Sequence, residues 1–291
     1  MRPLRNRLRE ARRQLGLQSY VVERDYILSW VLAGIGAVPE LKDTLVFKGG
    51  TALKKCYFGD YRFSEDLDFS ALEGVPTGEA MEELMALVCE AARKMLYEYA
   101  DVEFVCQRHL EHNPHPGGQE AFEIHARLPW HPRPDIPVKV EITVDELIAW
   151  PVERRSIIHG YGEPLDVELQ IYSPTEVVAE KLRAIRQQLK LLEQRGWTRN
   201  RARDYYDLWR VLGTFGDSVD RVNFIGRFHD KCKLRNVDFE GPDDFFDSRV
   251  IDDVKQGWES SLAPLVTDLP DFDTVMGELQ PQVELLLEPA P

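Results

Sequence analysis

The sequence predicts an α+β fold of two lobes, a mixed sheet with helices over residues 1–172 and a helical lobe over 173–291. Three observations carry this. Short apolar or alternating segments that read as strands are confined to residues 45–144. From Pro174 onward the apolar spacing is helical. The change falls near Ser173, and runs of strands followed by runs of helices separate into lobes. With 43% hydrophobic and 30% charged residues the balance is ordinary for a globular chain. That excludes a disordered chain, a collagen or a disulfide miniprotein.

In chain order, Arg5 to about Val38 reads as helices, with Tyr20, Tyr26, Ile27, Trp30 and Val31 as core contacts. Leu45-Val46-Phe47 is a short apolar strand ending at Gly49-Gly50, and Thr51-Ala52-Leu53-Lys54-Lys55 opens a helix. Phe63 to Phe69 reads as a second strand and Glu79 to Tyr97 as a helix. Val102–Arg108 and Ala121–Leu128 form a strand pair around a loop of His, Pro and Gly. In that loop His109, His112 and His115 recur every three residues. A helix would align them as metal ligands, but Pro114 and Gly117-Gly118 argue for an irregular connection. Pro137 to Val144 is a strand by strict alternation. The helix opening at Pro174 buries Val178, Leu182, Ile185, Leu189 and Leu192. Arg183, Arg186 and Lys190 then point the other way, to solvent or to a polyanion.

The net charge of −14 argues against an indiscriminate nucleic-acid coat. Its distribution says more. Residues 1–14 hold six arginines against one acid, and residues 181–210 hold nine basic residues against three acids. Residues 238–291 hold fourteen acids against two bases. Such runs are often plain solvated faces, but the stretch 181–210 is also a candidate surface for a polyanion. The longest uncharged apolar stretch, Tyr26 to Val38, has 13 residues, fewer than the roughly 20 that cross a bilayer. No apolar run directly follows the basic start, as a signal peptide requires. Cys56, Cys89, Cys106 and Cys232 lie far apart without a CxxC spacing. The expectation is a cytoplasmic protein with reduced thiols and no membrane partner.

The residues that could carry chemistry begin at Lys48-Gly49-Gly50-Thr51. Paired glycines between strand and helix let a backbone approach a phosphate closely, though a plain turn would look the same. The segment has neither the Walker A nor the dinucleotide spacing. Downstream, alternation puts Asp66 and Asp68 on one face of a strand. Two like charges side by side repel, so a fold that keeps them usually supplies a cation. Hard oxygen ligands suit Mg²⁺, which completes its shell with substrate phosphates. Glu141 stands on the polar face of Val138–Val144 with Lys139 and Thr143, as an exposed salt-bridging residue or as a third ligand. Three carboxylates around two Mg²⁺ would activate an attacking hydroxyl and steady a leaving pyrophosphate. Lys181 falls at the margin of an apolar stripe, where it either snorkels or binds an anion. Asp204 and Asp207 lie in the first turns of a helix, where the dipole alone accounts for both. Ser64 either hydrogen-bonds a phosphate oxygen or holds Asp66. Arg62 either neutralises charge or pairs with Glu65.

Lys48-Gly-Gly-Thr-Ala-Leu53 with Arg62-Phe-Ser-Glu-Asp-Leu-Asp-Phe69 resembles the AbiEii-type toxins, a branch of the DNA polymerase β-like nucleotidyltransferases. The resemblance continues at Glu176-Val-Val-Ala-Glu-Lys181-Leu-Arg-Ala-Ile185 and at Arg203-Asp204-Tyr-Tyr-Asp207-Leu, and covers roughly residues 45–212. It implies transfer of a nucleotide from an NTP, with the tRNA acceptor end as the RNA acceptor, in a two-gene toxin–antitoxin or phage-defence system with a cognate antitoxin. It also implies that Lys48, Gly49, Gly50, Thr51, Ser64 and Lys181 bind the nucleotide, with Lys181 gripping the triphosphate. Asp66, Asp68 and Glu141 would hold Mg²⁺, and Asp204 would be an active-site acid with Asp207 its structural neighbour. A transferase acting on a small molecule such as an antibiotic, or on a protein hydroxyl, stays open, as does an inert binding module. The clustered like charges argue against the last. The acidic segment from about Asp238 carries no recognised motif.

Overall fold

The computed structural model describes residues 2–110, 118–133, 135–196 and 199–288; His112 and His115 of the histidine loop lie outside them. The chain divides into two compact units, Met1–Glu146 with Val152–Ile171, and Leu147–Pro151 with Tyr172–Pro291. Residues 147–151, which the sequence places with the first lobe, therefore group with the second.

The first unit begins with α1 (Leu4–Leu15), α2 (Ser19–Ala37) and the short α3 (Pro39–Lys42), followed by β1 (Leu45–Lys48) and α4 (Gly49–Ala52). After α4 the helix loosens into a π-helical turn over Leu53–Tyr57. Then come β2 (Asp66–Ala71), α5 (Glu79–Leu96), β3 (Glu103–Arg108), β4 (Gln119–Arg127) and β5 (Ile136–Thr143). The last two strands are β6 (Glu153–Ser156) and β7 (Glu168–Ile171), which the sequence did not announce. Four residues each, they are too short for a period-2 pattern to stand out.

The seven strands form one sheet in the order β3-β4-β5-β2-β1-β7-β6. The β2–β5 and β1–β7 pairs are parallel and the others antiparallel, so the sheet is mixed and the fold α+β. Alternation sorts each central strand into two faces. Phe47, Leu67, Phe69, Val138, Val140 and Ile142 are fully buried on the face packed with α2 and α5. Each such side chain stabilises the fold by about 1.5–3 kcal/mol. Phe47 and Phe69 stack across β1 and β2 with ring centroids 5.0 Å apart. The polar residues of the same strands are left on the opposite face.

Within α2 nearly every residue from Val21 to Ile35 is buried, including Tyr26, Ile27, Trp30 and Val31. Tyr20 does not join them: it is 54% exposed. It lies one turn before the fully enclosed part of the helix, so the apolar pattern overreached at its start. Two polar residues inside this apolar helix find partners at once. Asp25 pairs with Lys55 at 2.7 Å and accepts from the Tyr161 hydroxyl at 2.7 Å, while Ser29 accepts from Lys55 at 2.9 Å.

The second unit is helical: α6 (Pro174–Arg195), α7 (Ala202–Phe215), α8 (Arg221–Leu234), α9 (Ser248–Leu262) and α10 (Phe272–Leu287). Ser173 caps α6 by accepting from the Glu176 N–H, and Pro174 sits at the first helical position where its missing donor is harmless. Val178, Leu182, Ile185 and Leu189 are buried. The basic side chains of α6 do not stand free in solvent, however. Arg183 is buried beside Glu180 and Gln187. Arg186 donates to the Asp238 carbonyl at 2.6 Å and faces Asp244, and Lys190 reaches the Asn236 carbonyl. The start of the acidic segment thus folds onto the basic helix of its own unit.

Candidate active site

Strand register assembles the first half of the site. Lys48 of β1 lies opposite Asp68 of β2, and Asp68 lies opposite Glu141 of β5. Paired residues project to the same face of a sheet. Lys48, Asp68 and Glu141 thus form one row across three strands, and Asp66 sits two residues along opposite Lys139. Three carboxylates therefore converge on the polar face. Partial desolvation, the Glu141 charge and the Glu65 charge push the Asp66 pKa up, with Lys139 and Arg24 opposing. Asp66 remains open to solvent, so that repulsion is screened.

Glu141 is held by its neighbours: its Oε1 lies 2.9 Å from the Lys139 ammonium and accepts from the Gln119 amide at 2.7 Å. Among the described residues no three His, Cys, Asp or Glu side chains form a preassembled metal cage. The donor chemistry nonetheless fits Mg²⁺, which takes one or two protein carboxylates and fills its octahedron with water and phosphate oxygens. Asp66 and Asp68, on one face two residues apart, offer that pair.

The glycines shape the approach to Asp68. Gly49 has φ +80°, and a Cβ there would lie 2.5 Å from the Asp68 Oδ2. Left-handed backbone and the nearby carboxylate both call for glycine. A Cβ on Gly50 would collide with the Arg62 guanidinium. Arg62 is buried against this turn, while Glu65 pairs with Arg24 at 2.9 Å. The Thr51 hydroxyl donates to the Asp66 carbonyl at 2.5 Å, tying α4 to the first residue of β2. Lys48 donates to Thr143 at 3.2 Å and stands 3.9 Å from Glu146. Ser64 is half-buried just before β2.

In the second unit Lys181 meets both acids of the Arg-Asp-x-x-Asp motif. Its ammonium lies 2.7 Å from Asp204 and 2.7 Å from Asp207, whose side chain has no exposure. Arg201 adds a bond to Asp204 at 3.0 Å. Burial works to raise the Asp204 pKa, but the Lys181 and Arg201 charges outweigh it and hold the carboxyl below its ordinary range. The structure thus brings Lys48, Gly49, Gly50, Thr51, Ser64, Asp66, Asp68 and Glu141 together in one unit. It brings Lys181 and Asp204 together in the other.

Sequence reading missed Glu146, whose fully buried side chain approaches Lys48, and it misplaced Glu176 as part of a motif alone. The Glu176 carboxylate accepts from the Ala149 and Trp150 N–H groups and pairs with Lys231 at 2.7 Å, both side chains fully buried. This pins residues 147–151 to α6 and α8. An acid on the first turn of α6, next to the buried Val177 and Val178, was the one available signal.

The AbiEii family, described as nucleotidyl transferase toxins of type IV toxin–antitoxin systems, matches residues 30–278. The chain belongs to this family. Nucleotidyl transfer is its activity, and the family implies a nucleotide substrate and an antitoxin partner. No curated protein matches the sequence. Among solved structures it is similar to MenT4, a nucleotidyltransferase toxin from Mycobacterium tuberculosis. The two share 23% identity and a TM-score of 0.57 over 92% of this chain and 84% of that one. That likeness carries the fold. No helix among the described residues is long and apolar enough to cross a membrane.

The glycine turn gives a direct prediction for this activity. Gly49→Ala adds left-handed strain of about 1 kcal/mol and forces Asp68 off its position. Transfer should fall about 100-fold, the usual result of a displacement near 1 Å at a reacting centre, while the melting temperature drops only a few degrees. Unchanged transfer by a radiolabel assay would remove Asp68 from the site.

Proposed function

We propose that the chain transfers a nucleoside monophosphate from an NTP to an RNA 3′ end, with tRNA as acceptor, and thereby blocks translation. The carrying observation is the row Lys48–Asp68–Glu141, with Asp66 beside it and the Gly49-Gly50 turn at its end. Two Mg²⁺ held by Asp66 and Asp68, with Glu141 on the base side, would supply Lewis-acid activation and charge neutralisation. The acceptor hydroxyl attacks the α-phosphorus, the bond to the bridging oxygen breaks, and pyrophosphate leaves. Gly49 and Gly50 let the phosphates come close, Lys48 neutralises them, and Ser64 orients an oxygen; the grip of Lys181 on the triphosphate is carried by the family resemblance alone. Thr51 acts by fixing the turn to β2, and Asp204 positions Lys181. The same reading places the protein in the cytoplasm, as the toxin of a two-gene phage-defence system. The family resemblance supports RNA over a small acceptor.

Incubation with labelled NTPs, Mg²⁺ and total tRNA should put label on the RNA, and omission of Mg²⁺ should abolish it. Label confined to small molecules or to protein would replace the RNA assignment. No transfer to any acceptor would overturn the catalytic reading altogether.

A further inference from the structure

One cavity among the described residues lies away from the carboxylate row. It is a groove of about 770 Å³ beside α1, lined by Arg12, Arg13, Ser19, Tyr20, Glu23 and His131 among others. A second cavity of about 270 Å³ shares Ser19, Glu23 and His131 and adds Arg5, Arg9 and Trp130. Helix periodicity explains why arginines line both. Leu4, Leu8, Ala11 and Leu15 face inward, which leaves Arg5, Arg9, Arg12 and Arg13 exposed.

The helix dipole favours Arg12 and Arg13 in the last turn, but it has no claim on Arg5 or Arg9 in the first two. Nor are the groove's own acids there for these arginines. Glu23 accepts from the Trp130 indole at 3.0 Å and lies 3.3 Å from His131, and Asp135 lies 2.8 Å from His131. Among the described residues none of the four arginines pairs with a carboxylate. In a chain of net charge −14 this unneutralised cationic stripe runs against the mean field. Tyr20 is 54% exposed at the groove, and Arg5 lies over the Trp130 ring at 5.9 Å. Arginines interleaved with aromatic faces are what bind a sugar–phosphate backbone and stack its bases. An acidic polypeptide would use the charges and leave the aromatics idle. Residues 1–29 also precede the matched family segment.

We propose that the arginine face of α1 and its groove, with Tyr20 and Trp130, form a docking surface for the sugar–phosphate backbone of an RNA. The inference rests on the reading that the acceptor is RNA, and it assigns where that RNA is gripped. Arg9→Gln/Arg12→Gln/Arg13→Gln in the full chain should bind fluorescent total tRNA about tenfold more weakly. The slope of log affinity against log salt should shrink by about two, the loss of three phosphate contacts. Arg93→Gln/Lys94→Gln, exposed on α5, should stay within twofold of wild type. Tyr20→Ala should weaken RNA binding severalfold with the salt slope unchanged. In the transfer assay the triple variant should raise KM for tRNA and leave kcat alone.

Affinity and slope unchanged in the triple variant would overturn the inference, even while wild type still labels RNA. An equal loss in the α5 variant would overturn it too. Polyglutamate that binds as tightly as tRNA, with Tyr20→Ala without effect, would transfer the surface to an acidic protein partner. Wild type that binds tRNA through these arginines but labels none of it would sink the proposed reaction and leave the docking surface standing.

Discussion

Asp66→Asn and Asp68→Asn should each abolish nucleotide transfer and toxicity on expression while folding at least as stably as wild type without metal. The reason is the crowding of carboxylates on one sheet face. Partial desolvation and the Glu141 and Glu65 charges raise the Asp66 pKa, so its ionised form opposes folding. Asn removes that charge and a metal ligand in one step. Wild type should gain about 2.7 kcal/mol from Mg²⁺ with NTP at a hundredfold over Kd, and either variant should lose most of it. Thermal melts with and without Mg²⁺·NTP read this directly. A variant stabilised like wild type and still toxic would remove that residue from the metal site.

The sign of the pH dependence follows from the same shift. A carboxyl whose folded pKa lies above its ordinary 3.8 contributes stability below that value and loses it as pH rises through the folded pKa. Metal-free wild type should therefore lag Asp66→Asn at neutral pH, and the gap should close as pH falls below 3.8. A gap that widens in acid would show that another group dominates.

Much of this was legible because period and register are local. Leu45–Phe47, the alternation from Val138 to Ile142 and the stripe of α6 each announced an element, since one wrong residue would put polar atoms in the core. Asp66 and Asp68 stood on one strand, so their shared face followed from alternation alone. That Asp68 lies between Lys48 and Glu141 did not follow, because strand order β5-β2-β1 is a tertiary fact. β6 and β7 were missed because they are too short to show an alternation and lack the unbroken apolar run of Leu45–Phe47, and β7 earns its place by pairing with β1. The basic face of α6 was misread for a related reason. Arg186 and Lys190 are satisfied by carbonyls 46 or more positions away, which no local pattern contains. Arg62 was legible as a residue of interest but not as the guanidinium packed on Gly50.

Lys181→Ala should destabilise the protein by about 3 kcal/mol, because it removes the cation shared by two buried acids. Asp207 has no side-chain exposure and lies 2.7 Å from the ammonium. By contrast, Asp204→Asn keeps its shape, leaves Lys181 paired with Asp207 and relieves one of two adjacent acids. Its melting temperature should stay within a few degrees of wild type near neutral pH. Since the Asp204 carboxyl is held below 3.8, its contribution is present above that value and fades only as pH falls through the lower folded pKa. The two variants thus separate scaffold from chemistry, which Lys181→Ala alone cannot do. If Asp204 positions Lys181 for the triphosphate, Asp204→Asn should cut transfer about 100-fold and raise KM for NTP with the fold intact. Lys181→Arg should keep the fold and restore part of the NTP affinity, because it returns a cation to Asp207. Asp204→Asn with full activity, or Lys181→Ala that melts like wild type, would break the link between this ion pair and the reaction.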